Sequence, residues 1–327
     1  MILRVGTRGS ELALYQANAV AAQLRKRARA ECEVVVIKTS GDRLADASLR
    51  QIGGKRLFVK EIEDALLAGE VDLAVHSSKD MPAVLPDGLA IAAVLPREDP
   101  LDAVVLPQRA GGDLAGSVDA DQLVAALGQT PSIGTRSVRR VAQLTRLMPA
   151  ATFLPIRGNL DTRLRKLDSG DYDALVLAAA GLRRLGFASR ISATLPVAAC
   201  VPAPGQGIIA IEISAGDAAL QQALAAITDA AAAAALTAER AVVEALGGGC
   251  QTPIGALATP AGGDTLELAA AVFALDGSRA VRATERGTRS AAADLGVRIA
   301  RRLIEQGAGE ILEETRRAQG AVEGIQP

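Results

Sequence analysis

Short apolar runs alternate with amphipathic stretches through the first two thirds of the chain, the pattern of strands joined by crossover helices. Residues 2–6, 33–39, 71–77 and 89–95 read as strands. The third has a continuous apolar centre, as a strand buried on both faces requires. Ser10 opens a helix reaching residue 29, in which Leu12, Tyr15, Ala19, Ala22 and Leu24 form a core-facing stripe. Residues 60–68 form another. A similar series follows, with strands at 132–135, 152–157 and 173–178 and helices after Arg136 and Asn159.

Two stretches break this rhythm. LPREDP (95–100) and VPAPGQG (201–207) are rich in residues that stop helices and fix turns. One more buried strand, 208–214, follows the second. If it rejoins the first sheet, both stretches are crossings between two lobes with a cleft between them. The lobes also echo each other: VGTRGS (5–10) and IGTRSV (133–138) each sit where a strand gives way to a helix. From residue 229 the pattern changes to a helix, a glycine-rich turn, strands at 254–259, 266–275 and 279–286, and helices at 290–307 and 310–319. Strands followed by helices make a small α+β domain. The expected fold is α/β, with a discontinuous first lobe (1–98 and 206–224), a second lobe (99–205) and the α+β domain (225–327).

The 36 basic and 37 acidic residues nearly cancel, so bulk charge does not suit the chain to duplex DNA. With no Trp, 2 Tyr and 4 Phe, it has no row of rings for stacking single-stranded bases. No nucleic-acid partner is expected. Thirty of the basic residues are arginine, whose planar, permanently charged fork matches carboxylate and phosphate. A coding bias that also enriches alanine gives the same count, so position has to decide. Three distant cysteines do not make a secreted disulfide framework, and a lone histidine argues against a histidine-rich metal site. No leader-like segment precedes the first strand, and the longest featureless apolar run, 230–236, is far short of the ~20 residues of a membrane span. The expectation is a cytoplasmic protein with no membrane partner and no metal.

At both echoes Thr, Arg and Ser stand at a helix N-terminus, where free N–H groups and the dipole favour an anion by ~0.3–1 kcal/mol. Capping by Ser10 or Thr135 beside a solvated arginine explains either site alone. Two matching sites facing one cleft tip the reading towards Arg8 and Arg136 as anion forks. Arg139 and Arg140 point about 100° apart on the second helix, which suits several anionic groups on one larger ligand. Arg157 ends a strand beside Gly158, where backbone can approach a ligand closely, and Arg163 follows.

Strand 71–77 runs into HSSKDMP, and open α/β sheets bind ligands beyond their C-terminal strand ends, which puts Lys79 and Asp80 at the cleft. A lone carboxylate among cations suits general acid work or stabilisation of a developing positive charge. A polar turn before Pro82 is the plain alternative. His76, inside the apolar strand, reads as structural. Residues 40–57, with Lys55 beside two glycines, form a long polar loop of the kind that becomes a lid or stays disordered. In GGGCQTPIG the glycines expose Cys250, which reads as a covalent attachment point. Cys32 and Cys200 sit among apolar neighbours as core filler.

Together these segments resemble the porphobilinogen deaminase family. The likeness runs in order through TRGSELALYQ at Thr7, GGKRLFVKEIE (53–63), VHSSKDMP (75–82), GTRSVRR (134–140), RGNLDTRLRKLD (157–168), AAGLRRLG (179–186), APGQG (203–207) and GGGCQTPIG (247–255). It implies a three-domain fold whose first two lobes are like bacterial periplasmic binding proteins. It also implies a transferase of tetrapyrrole (haem, chlorophyll, cobalamin) biosynthesis. Four porphobilinogen molecules are joined head to tail with loss of ammonia, and water releases hydroxymethylbilane.

The family carries one dipyrromethane cofactor, two linked substrate units held by a thioether to the cysteine matching Cys250. Each pyrrole bears an acetate and a propionate, which gives an arginine-lined cleft its reason. Carried over motif by motif, Asp80 is the catalytic residue. Arg8, Ser10, Lys79, Thr135, Ser137, Arg139, Arg140, Arg157, Arg163, Arg184 and Gln206 bind cofactor and substrate, and Lys55 belongs to the lid loop. A monomer handing its product to the next enzyme is implied as well.

Two departures stand out. Arg136 occupies a place where many relatives have serine, which removes any hydroxyl role and leaves a side chain expected to fill space. Lys55-Arg56-Leu57 replaces a more usual Lys-Gly-Leu and should stiffen the lid. The competing class, a two-lobed binding protein for a small anion, explains the lobes, the echo and the arginines. It explains neither Cys250 nor the third domain.

Overall fold

The computed structural model describes residues 2–39, 59–108, 120–128, 130–249 and 252–323. The expected lid with Lys55, and Cys250 itself, lie outside these residues. The first lobe holds β1 (Ile2–Thr7), α1 (Glu11–Ala28), β2 (Glu31–Val36), α2 (Lys60–Leu67), β3 (Leu73–Ser77) and β4 (Leu89–Val94). The second holds β5 (Asp102–Val105), α3 (Ala120–Leu127), β6 (Ser132–Gly134), α4 (Val138–Leu147), β7 (Thr152–Leu154), α5 (Leu160–Asp168), β8 (Ala174–Ala178), α6 (Ala179–Arg184) and β9 (Ala193–Leu195). Then β10 (Ile209–Ser214) and α7 (Ala218–Ala225) return to the first lobe. The rest comprises α8 (Ala230–Ala245), β11 (Ile254–Pro260), β12 (Thr265–Phe273), β13 (Ala280–Thr288), α9 (Ala292–Glu305) and α10 (Ala308–Glu323).

The two lobes share one topology. Strand order is β2-β1-β3-β10-β4 in the first sheet and β7-β6-β8-β5-β9 in the second. In each, four strands run in one direction and a single antiparallel strand, β10 or β5, lies second from the edge. The echoed GTR segments leave β1 and β6, the equivalent strands. Because β10 does rejoin the first sheet, the fold is α/β with a discontinuous first lobe. The antiparallel sheet β11-β12-β13 packs against α8 and α9 as the separate α+β unit. Among the described residues no single helix is long and apolar enough to cross a membrane.

Some elements depart from the sequence pattern for local reasons. The strand expected over 152–157 pairs only at Thr152–Leu154, because Pro155 has no N–H to continue the ladder. Strand β5 is four residues between a proline turn and a loop, too short to show a period. Helix α7 is apolar almost all round, so its face does not show in the sequence; Asp217 caps it by accepting from Leu220 N at 2.9 Å.

Both crossings are pinned to the third domain by one carboxylate. Glu239 on α8, fully buried, accepts from Arg97 Nη1 (2.5 Å) and Nη2 (3.2 Å) on the first crossing. It also accepts from Gly205 N (2.6 Å) on the second crossing and from Ala258 N (2.8 Å) on β11. Arg97 Nε donates in turn to Gln206 O at 2.9 Å. Gly207 has a φ of +87°, and any Cβ there would collide with the Glu98 carbonyl, so the crossings touch backbone to backbone. Glu239→Gln keeps the shape but weakens four charge-assisted bonds. It should cost about 1.5–3 kcal/mol, read as a lowered melting temperature. An unchanged melting curve would show that the clamp holds nothing.

Candidate functional site

Strand β3 delivers the chain to a single 3-10 turn, Ser78–Asp80, at the cleft end of the first sheet. The turn is fixed from two sides. Ser78 N donates to Ile208 O (3.0 Å) just before β10, and Gln16 of α1 bonds the Ser77 hydroxyl at 2.8 Å. Asp80 is thereby held exposed, and with Arg8, Ser10, Gln16, His76 and Ser77 it lines one cavity. His76 is structural, as expected: its Nε2 lies 3.1 Å from Glu212 Oε2, both groups being buried within the sheet.

At both echoes the serine hydroxyl caps the helix. Ser10 Oγ accepts from Ala13 N (3.3 Å) and Ser137 Oγ from Arg140 N (3.4 Å). The cap of α4 is therefore Ser137 rather than Thr135, which is buried and accepts from Ser137 N at 3.3 Å. Lone pairs spent on capping leave each serine its O–H to donate.

The arginines divide sharply. Arg139 is buried and turned inward, donating to both oxygens of Asp102 (2.7 and 3.2 Å) and to Val201 O (2.6 Å). Arg140 grips the same carboxylate through Nε (2.9 Å) and Nη2 (2.7 Å), and Gln206 Nε2 adds a bond at 2.9 Å. Burial favours the neutral acid, but Arg139 and Arg140 hold the Asp102 carboxyl well below the usual carboxylate range. Burial, with Asp102 adding, pushes the adjoining Cys200 thiol up to about 12. Asp102 was not among the residues the sequence singled out. Its one signal was an acid opening an apolar strand that turns out to be buried.

Further cations lie beside this buried anchor or at the neighbouring strand ends. Lys79 Nζ donates to Gln206 Oε1 (3.3 Å); burial, with Arg140 and Arg139 adding, pushes its ammonium down to about 8 against the pull of Asp80 and Asp102. Arg163 on α5 donates to Gly158 O (2.9 Å), and burial with Arg140 and Arg136 takes it down to about 10. Arg184 Nη2 donates to Gly207 O at 2.6 Å, beside the second crossing. Burial and Arg157 lower Arg136 as well. Arg8 and Arg157 stand half-buried at the ends of β1 and β7.

The dipyrromethane expected from the sequence would bring four carboxylates. The residues present fit such a group: a converging set of cations whose own charges oppose one another, and a buried Ser78 hydroxyl with no hydrogen-bond partner among the described residues.

Comparison with known proteins agrees with this chemistry. The family description "porphobilinogen deaminase, dipyromethane cofactor binding domain" matches residues 3–222, and "porphobilinogen deaminase, C-terminal domain" matches 233–305. The porphobilinogen deaminase of Bordetella bronchiseptica is 48% identical over 95% of this chain and 96% of its own. That of Geobacter metallireducens is 45% identical over 95% and 94%. Among solved structures, the Bordetella pertussis BvgS periplasmic VFT2 domain aligns with a TM-score of 0.40 at 20% identity, over 68% of this chain and 85% of that one. An ancestral cationic amino acid solute binding protein gives 0.40 at 16%, over 68% and 86%. With two family descriptions spanning both the cleft and the third domain, the chain belongs to the porphobilinogen deaminase family, transferases that assemble hydroxymethylbilane on a dipyrromethane cofactor.

Proposed function

We propose that Asp80 is the catalytic carboxylate, that Cys250 tethers the cofactor, and that Arg8, Lys79, Arg140, Arg157 and Arg163 bind the carboxylates of cofactor and substrate. The carrying observation is a single exposed carboxylate on a rigid turn, whose field is felt by Lys79 beside it and by Arg163 of the opposite lobe. When bound, the dipyrromethane supplies the pyrrole α-carbon from which the chain grows. Loss of ammonia from the aminomethyl group of porphobilinogen leaves a positive charge, and Asp80 is the group that meets it. Its oxygens accept pyrrole N–H bonds and stabilise the charge as it forms. Ser10 and Ser137 offer hydroxyl donors. Gln206 holds Lys79 in place, while Arg139 acts at one remove by orienting Asp102 and, through it, Arg140. The same reading divides the domains at 1–98 with 206–224, 99–205 and 225–327, and has a cytoplasmic monomer passing hydroxymethylbilane to the next enzyme.

Asp80→Asn tests the central role. The variant should keep its fold and its cofactor mass, and lose about 10²–10³ in turnover, the common cost of one electrostatic stabiliser. Tetrapyrrole formation at the wild-type rate would remove Asp80 from the mechanism.

A further inference from the structure

Sequence leaves two readings of Arg136, an anion fork at the second echo and a space filler where relatives have serine, and its surroundings favour the first. Several structural arginines are matched by acids, Arg4 by Asp72, Arg97 by Glu239, Arg139 and Arg140 by Asp102, Arg190 by Asp168, and others such as Arg146 and Arg184 by backbone carbonyls. Arg136 has no such match among the described residues. Its electrostatic neighbours are arginines, Arg157 and Arg163, and its own guanidinium is lowered by burial and by Arg157. The topology explains the grouping. Strands β6 and β7 run parallel, and Thr135 N donates to Leu154 O at 3.0 Å, so the segments leaving them towards 136 and 157 emerge side by side. Helix α5, opening at Asn159, adds Arg163 in its first turn. Arg136 thus adds a further like charge beside Arg157 and Arg163, only partly offset by Asp80 acting on Arg163, and such a grouping favours an anion.

Depth separates this place from the buried anchor. Arg140 is buried and Lys79 half-buried, whereas Arg136 is exposed at the strand-end rim. A donor at the rim meets the ligand that comes and goes with each cycle rather than one that stays. We propose that Arg136 is a further substrate-binding residue, its fork taking one side-chain carboxylate of incoming porphobilinogen beside Arg157; the inference rests on the porphobilinogen reading of the cleft.

The test compares wild-type holoenzyme with Arg136→Ser and Arg136→Lys. In Arg136→Ser, intact mass should show the two-pyrrole increment retained. KM for porphobilinogen should rise about tenfold, as loss of a charge-assisted bond predicts, with kcat little changed. Arg136→Lys should recover part of the KM, keeping the charge without the fork. The melting temperature of Arg136→Ser should be unchanged or higher, since a repelling charge has gone. An unchanged KM overturns the proposal. So does loss of the cofactor mass, which would assign Arg136 to the resident group, or a lowered melting temperature that lysine restores, which would make it structural. A wild-type enzyme that does not consume porphobilinogen sinks the underlying reading first, and separately.

Discussion

Cys250→Ala is expected to give a protein of unmodified mass that makes no hydroxymethylbilane. Of the three thiols, Cys200 is fully buried and pushed up to about 12, so it is almost never a thiolate and no ligand reaches it. Burial also raises Cys32, which lies on β2. Gly247, three positions before Cys250 in the sequence, has a φ of +61°, and the Thr252 hydroxyl donates to Gly249 O at 2.6 Å. A thioether resists the reductants that open disulfides, which suits a permanent tether. Without that sulfur the primer has no anchor and chain growth no start. The alanine variant should also melt earlier than wild type, because a ligand binding only the native state stabilises it and its loss leaves cations facing one another. Mass spectrometry decides the matter. A pyrrole adduct found on Cys32 or Cys200 would overturn the assignment.

Asp102→Ala should be nearly as severe, but through structure. The carboxylate is wholly buried and compensates two guanidinium groups, and Gln206 and the Cys200 thiol donate to it as well. Removing one partner of a buried ionic set leaves uncompensated charge, at a cost of about 3–5 kcal/mol. For a lobe of this size that is a melting shift of roughly 10 °C or more. Arg140 and Gln206 would lose their common anchor, and Lys79 its hydrogen-bond partner's orientation, so the cofactor should assemble poorly. Thermal melting and intact mass together check this. A variant with wild-type melting and full cofactor content would mean that Asp102 anchors neither.

The first lobe was legible because its strands and helices keep clean periods, and because strand ends in such sheets point at the cleft. That rule puts Asp80 and Lys79 at the cleft, whereas their roles come only with the family resemblance. Arg139 shows where reading by sequence stops. Nothing in GTRSVRR separates an arginine facing a ligand from one facing a buried acid, since Asp102, Cys200 and Gln206 lie from 37 to 67 residues away along the chain. The Arg97–Glu239 pair spans a greater distance still. Sequence periodicity carries local geometry, whereas charge matching is a property of segments that meet only in the folded molecule.

The antiparallel strand of the first sheet has a further consequence, for the order in which the molecule forms. Among the described residues strand β4 pairs in its sheet only with β10, and β3 pairs with β10 on that side, across more than a hundred intervening residues. The second sheet, β5 to β9, is by contrast one unbroken run of chain. During synthesis the second lobe can close as soon as residue 195 is free, while the first waits with an open edge at β3. Contacts so distant in sequence form slowly, and exposed strand edges invite wrong partners. The last strand to arrive therefore seals the lobe that was begun first.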